Sequence, residues 1–134
     1  MKAKIMIDGA SKGNPGRASY AYIIETKRFK IEEFEEIGIA TNNQAEYQAL
    51  ISALKRALEM GIDDITVYSD SELLVKQLKG EYKVKSNNLK DLFSEAVSLL
   101  KKFKSYQIIH ISRELNREAD KLANLAFNKG RGAG

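Results

Sequence analysis

Four acidic residues, Asp8, Glu46, Asp70 and Asp120, each stand where a periodic segment of the chain meets a loop. A fold that gathers them builds a cluster of hard oxygen donors, and such a cluster must take up protons or cations to relieve its own repulsion. With no His or Cys in the set, it selects magnesium or manganese over zinc. Two such ions about 4 Å apart can clamp an in-line phosphoryl displacement. Short polar segments surround the acids: Asp8-Gly9-Ala10-Ser11-Lys12-Gly13-Asn14-Pro15-Gly16, Thr41-Asn42-Asn43-Gln44-Ala45-Glu46, Tyr68-Ser69-Asp70-Ser71 and Asn116-Arg117-Glu118-Ala119-Asp120.

Each acid taken singly also has a plainer use. Asp8-Gly9 reads as a turn pair, and Glu46 as the third residue of a capping box opened by Asn43. Asp70-Ser71 reads as a cap for the helix that follows, and Asp120 as a charge serving the dipole of the last helix. Taken together the acids argue against this. Glu46 and Asp120 continue the inward stripes of their helices and Asp70 closes a buried strand, whereas capping residues face water.

The elements that must position them follow from periodicity. Residues 3–8 alternate and then meet a Gly- and Asn-rich turn, and 18–26 and 31–40 form two further extended candidates, which predicts three strands in a meander, the first ending at Asp8. From Asn43 the period changes: Glu46, Leu50, Ala53, Leu54, Ala57 and Leu58 recur at helical spacing until Gly61 stops the helix. Residues 65–69 read as a short buried strand closed by Asp70, 71–79 as a helix, 80–88 as a loop and 89–103 as a helix with Leu92, Phe93, Ala96, Leu99, Leu100 and Phe103 on one stripe. A fifth strand over 107–112 and a last helix over 116–128 complete a domain of residues 1–129, and the Gly-rich 130–134 reads as a flexible tail. This order asks for an α/β fold, a mixed sheet with helices on both faces. If the first and fourth strands are neighbours, about 5 Å separates Asp8 from Asp70 laterally, close enough to share one cation.

At 134 residues, 43% hydrophobic and 30% charged, the composition is that of one globular domain with no run long enough to span a bilayer. Met1 leads straight into the first strand pattern, so no secretory signal is read, and a cytoplasmic location is expected by elimination. Absence of cysteine excludes disulfides, thiolate catalysis and sulfur-based zinc sites. A net charge of +4 permits a polyanionic partner.

Taken in order and approximate spacing, Asp8-Gly9-Ala10 with Gly13-Asn14-Pro15-Gly16, Thr41-Asn42-Asn43 leading to Glu46, Ser69-Asp70-Ser71, and Asn116 four before Asp120 resemble ribonuclease H of type I, in its short single-domain archaeal or bacterial form. The resemblance spans nearly the whole chain. It implies a ribonuclease H-like fold, a five-stranded mixed sheet with three antiparallel then two parallel strands, flanked by helices. It implies a metal-dependent endonuclease that cuts the RNA strand of RNA/DNA hybrids, with Asp8, Glu46, Asp70 and Asp120 as catalytic residues ligating two Mg2+ ions, for which Mn2+ can substitute. Asp8 would bridge the ions, water would attack in line, and the products would carry 5′-phosphate and 3′-hydroxyl ends.

For substrate choice the resemblance implies backbone contacts from Gly9, Ala10 and Ser11, with Asn14 and Asn42 reading ribose hydroxyls or base edges in the minor groove. Thr41 and Asn43 would hold a phosphate of the DNA strand, and Ser71 joins the substrate-binding set. The expected partner is an RNA/DNA hybrid, with double-stranded RNA and RNA–DNA junctions left open, and the protein is expected to be a monomer that touches no membrane. Lys12, Lys76, Lys79, Lys83, Lys85 and Lys90 would supply a salt-sensitive attraction.

The pattern departs from the family in three places. Glu72 stands where many relatives carry glutamine. The only histidine, His110, lies inside the fifth-strand pattern, not on a loop before the last acid, leaving Arg113, Glu114, Arg117 and Glu118 nearer the expected site. The basic protrusion is reduced to Tyr82, Lys83 and Lys85. Two other functions compete: a nucleic-acid-binding module of the same fold without cleavage, and a nucleotide-binding enzyme. The second fails on spacing, because a P-loop needs Gly-Lys and Ser or Thr opening a helix, and Gly13-Asn14-Pro15 leads toward a strand.

Overall fold

Apolar residues at every second position from Ala3 to Ile7 make the first strand a two-faced element, and the sheet grows on both sides of it. The computed structural model describes residues 1–132, with side chains described as far as Phe127. Strands β1 (Lys2–Lys12), β2 (Gly16–Glu25) and β3 (Lys30–Ala40) form an antiparallel meander. Strands β4 (Asp64–Ser69) and β5 (Ser105–His110) add in parallel on the other side of β1, giving the order β3-β2-β1-β4-β5. Helices α1 (Asn42–Glu59), α2 (Glu72–Leu78), α3 (Asn87–Leu100) and α4 (Arg117–Gly132) flank it, with a 3-10 turn over Arg113–Asn116 ahead of α4.

The main core lies between the sheet and α1. Ile5, Ile7, Ile65 and Val67 pack against Leu50, Leu54 and Ala57, and α3 closes over α1 through Ala96, Leu99 and Leu100. Ile5, Ile7, Leu50 and Leu54 are fully buried, and each contributes about 2 kcal/mol on removal from water. On the opposite face Ala21 and Ile23 meet Ala119, Leu122 and Ala123, so α4 covers β1, β2 and β3.

The expected element order is present, with instructive shifts. Asp8 does not end its strand: β2 keeps pairing with β1 as far as Lys12–Arg17, and only the parallel ladder with β4 stops, at Met6–Tyr68. The capping box of α1 is built on Thr41, which accepts from the Gln44 N–H at 3.1 Å while Gln44 Oε1 accepts from the Thr41 N–H at 2.8 Å. Asn43 is therefore a first-turn residue, and Glu46 takes no part in the cap. Ser71, not Asp70, caps α2 by accepting from the Leu74 N–H. The last helix follows the 3-10 turn and stays helical through Gly132, past the predicted end at 128. Of the expected tail, Ala133 and Gly134 lie outside the described residues.

Candidate active site

The site begins where β1 and β4 stop pairing. Two residues beyond the last parallel partners, Met6 and Tyr68, each chain places a carboxylate on the same face: Asp8 and Asp70. Asn116 fills the fork. Its Nδ2 donates to the Ile7 carbonyl at 2.8 Å, which β4 no longer satisfies, and to Asp70 Oδ2 at 3.1 Å. The 3-10 turn thus ties the two acid-bearing strands together through one fully buried amide.

Glu46 arrives from α1, and Gly9 lets it. A Cβ on Gly9 would lie 2.4 Å from the Glu46 backbone nitrogen and 2.5 Å from the Ala45 carbonyl carbon, so only glycine allows the first turn of α1 to rest directly on β1. One carboxylate oxygen each from Asp8, Glu46 and Asp70 then lie within 4.8 Å of one another. Asp120, half-buried in the first turn of α4, stands outside that tight group but close enough to act on Asp8 electrostatically.

Gathering acids this closely has an electrostatic consequence. Burial, then the charges of Asp70 and Asp120, push the Asp8 carboxyl up to about 8, with a hydrogen bond to Glu46 pulling the other way. Glu46 is also raised well above the ordinary carboxylate range, first by burial and then by Asp8 and Asp70, against the Gly9 backbone hydrogen bond that lowers it. Glu46 Oε2 and Asn116 Oδ1 are both buried with no hydrogen-bond partner. Three converging carboxylates, one with an orphaned oxygen, are a donor set that suits a hard divalent cation, so the residues fit a metal.

The other predicted site residues divide into those that meet and those with structural duties. Asn14 and Asn42 come together, the Asn42 N–H donating to Asn14 Oδ1 at 3.0 Å, so the first loop is moored to the start of α1. Ser11 Oγ bonds the Ala40 carbonyl at 2.9 Å and the Gly13 carbonyl. Ala10 packs toward α4 with Ala21 and Ala119. Thr41 and Ser71 are helix caps, and Asn43 lies half-buried beside Asn42, which is exposed. His110 is exposed at the end of β5, opposite Ser69 and near enough to help lower Glu72. Glu72 itself is lowered first by Lys76, with which it forms a 2.7 Å ion pair.

Sequence reasoning placed Asn116 in a motif but gave it no role. An Asn four residues before an acid at the predicted start of the last helix was the available signal. Its partners, 109 and 46 residues away, were not readable.

The family described as "Reverse transcriptase-like" matches residues 6–126. The chain is 43% identical over 123 residues to "Ribonuclease HI" of Halobacterium salinarum, covering 90% of this chain and 62% of that protein. It is 39% identical to a "Bifunctional protein" of Mycobacterium tuberculosis, of which it spans only 36%. The crystal structure of RNase H1 from Halobacterium salinarum superposes with a TM-score of 0.92 at 40% identity, covering 96% of this chain and 99% of that one. LC11-RNase H1, solved in complex with RNA/DNA hybrid, gives 0.88 at 38% identity, with 96% and 98% covered.

Proposed function

The chain belongs to the ribonuclease H type I family, and from that premise we propose that it is a metal-dependent endonuclease hydrolysing the RNA strand of RNA/DNA hybrids. The observation that carries the reading is the set of carboxylate oxygens from Asp8, Glu46 and Asp70 within 4.8 Å, on a framework shared with a relative whose structure holds an RNA/DNA hybrid. Asp8, Glu46 and Asp70 would hold divalent metal, with Asp120 completing the ring from α4. When bound, two Mg2+ or Mn2+ ions would supply an activated water and neutralise the departing oxygen, leaving 5′-phosphate and 3′-hydroxyl ends.

The chain's own residues do the positioning. Asn116 fixes Asp70 against β1, and the Gly9 contact fixes Glu46 against Asp8. The moored loop of Asn14 and Asn42 presents amides on the same rim, where they can donate to and accept from a ribose 2′-hydroxyl. Thr41, Asn43 and Ser71 stand at the helix starts beside it, with hydroxyl and amide groups that can donate to a phosphate.

The test is a labelled hybrid incubated with the protein while Mg2+ or Mn2+ is titrated. Cleavage of the RNA strand that requires metal supports the reading, and Asp70→Asn should abolish turnover while leaving hybrid affinity largely intact. Binding without cleavage at every metal level would turn the assignment to a non-catalytic module. Four duplexes of one sequence, differing only in sugar type, decide between hybrid, double-stranded RNA and junction substrates.

A further inference from the structure

The face of the sheet that carries Asp8 and Asp70 does not end at the site. Along β1 the same face presents Met6, Lys4 and Lys2, and along β4 it presents Tyr68 and Thr66, cross-strand neighbours of Met6 and Lys4. Helix α4 packs over β1, β2 and β3, leaving a groove of about 780 Å³ toward β4, walled on its far side by the turn between β2 and β3. That volume is within the range of small-ligand pockets.

Its chemistry is one-sided. Lys2, Lys4, Lys27 and Arg28 line the groove and all four are exposed. Lys4, Lys27 and Arg28 form no ion pair among the described residues, whereas Lys2 reaches Asp64 only at 4.0 Å. Glu25 is the single acid of the lining. Half-buried Tyr68 lines the same groove and offers an aromatic surface, with Lys4 Nζ over it at 5.2 Å from the ring centre. Cations flanking a ring are the combination that binds unpaired nucleotides, the ring stacking on a base and the cations tracking phosphates. Tyr68 stands two residues before Asp70 and Lys4 four before Asp8, about 7 and 13 Å along the strands.

We propose that this groove binds a single-stranded nucleic-acid extension of the hybrid, with a base on Tyr68 and phosphates on Lys4, Lys27 and Arg28. The occupant is an unpaired strand, not duplex, because a base inside a duplex has no free face for the ring. The inference rests on the hybrid-cleaving reading above, since the groove continues the row that holds the acids.

The experiment compares a blunt hybrid with the same hybrid carrying a short single-stranded tail, placed at each strand end in turn. Fluorescence anisotropy with the metal chelated reads affinity, and cleavage is assayed separately with Mg2+. The full chain should prefer a tail at one end by roughly tenfold, the size of one stacked base. Lys27→Ala/Arg28→Ala, on an exposed turn, should erase that preference and lower the salt slope for the tailed hybrid by about 1.4, two single-strand phosphates' worth. Blunt-hybrid affinity and cleavage should stay unchanged. Tyr68→Leu, which keeps apolar bulk in the sheet, should lose most of the preference without the change in slope.

Equal affinity for blunt and tailed hybrids in the unsubstituted protein overturns the proposal, as does a double variant that weakens both alike. A free mononucleotide competing as well as a detached tail would reassign the groove to a small ligand and overturn it too. Failure of cleavage on every substrate would sink the proposed function instead, and the anisotropy comparison still reports on the groove.

Discussion

With its carboxyl pushed up to about 8 by burial and by Asp70 and Asp120, Asp8 makes the metal-free fold sensitive to pH. In the unfolded chain this group titrates near its ordinary 3.8, so between those values the folded state holds a proton that the unfolded state has released. The resulting stability is fully present below about 4 and is lost as pH rises through about 8; Glu46 is raised in the same direction. Inside that window each pH unit is worth up to about 1.4 kcal/mol, so even one unit's worth of loss is measurable. Thermal melts in chelator should therefore drop by about 3–6 °C between pH 5 and pH 8, and Mg2+ should restore the loss at pH 8. Asp8→Asn should flatten this pH dependence, and a slope unchanged in that variant would mean that other groups carry it. Asn116 makes a second residue-scale case. Asn116→Ala leaves the Ile7 carbonyl without a donor and Asp70 untethered, costing about 1–3 kcal/mol in chemical denaturation. It should also lower kcat more than it raises KM, since the acid it holds would sit on the metals and not on the substrate. Wild-type kcat in a folded Asn116→Ala protein would refute that positioning role.

At the scale of elements, the junction of β1 with α1 decides whether a site forms at all. Gly9→Ala places a methyl 2.4–2.8 Å from Glu46 N, the Ala45 carbonyl carbon and Ala45 Cβ, and two of those three are backbone atoms that cannot rotate away. The helix must lift from the strand, so metal-dependent stabilisation in thermal melts should fall along with activity. A variant that keeps both would show that α1 can yield. Thr41 is separable by the same logic: Thr41→Ala should cost about 1 kcal/mol through the lost cap, whereas Thr41→Ser should restore stability. These two elements also explain what the sequence made legible and what it hid. Alternation and helical period located the five strands and four helices, because each element buries one face. Two overlapping capping patterns, Thr41 with Gln44 and Asn43 with Glu46, have the same spacing, and local chemistry cannot choose between them; the fold uses the first and leaves Glu46 for the acids. Asp8-Gly9 misled in a similar way, since a glycine needed for close approach looks the same as one needed for a turn. The Asn116 bonds and the open groove beside Tyr68 depend on which strands become neighbours, which no local pattern records.

Across the whole molecule the +4 charge is unevenly distributed, and that distribution sets how a polyanion would be held. The edge strand β3 carries Glu32, Glu33, Glu35 and Glu36, of which Glu36 pairs with Arg17 at 2.7 Å and Glu35 accepts from Tyr20 at 2.8 Å. Charges along an exposed edge also discourage another strand from pairing there. Beyond Asp70 in the chain, from the end of α2 into α3, Lys79, Lys83, Lys85 and Lys90 are exposed and form no ion pair among the described residues. Lys76, expected to join them, is bound instead to Glu72 at 2.7 Å and lies over the Tyr82 ring at 4.9 Å, so its charge is largely cancelled before any nucleic acid arrives. Hybrid affinity should then fall linearly on logarithmic axes with salt. About four neutralised phosphates would weaken binding on the order of a hundredfold over a fourfold rise in salt. Lys83→Ala/Lys85→Ala should reduce that slope by about 1.8, two duplex phosphates' worth, with little effect on melting temperature. Lys76→Ala should leave the slope nearly unchanged. Glu72→Gln, which frees the Lys76 charge, should instead steepen it, and a Lys76→Ala slope as shallow as that of the loop variant would show that the ion pair opens when hybrid binds.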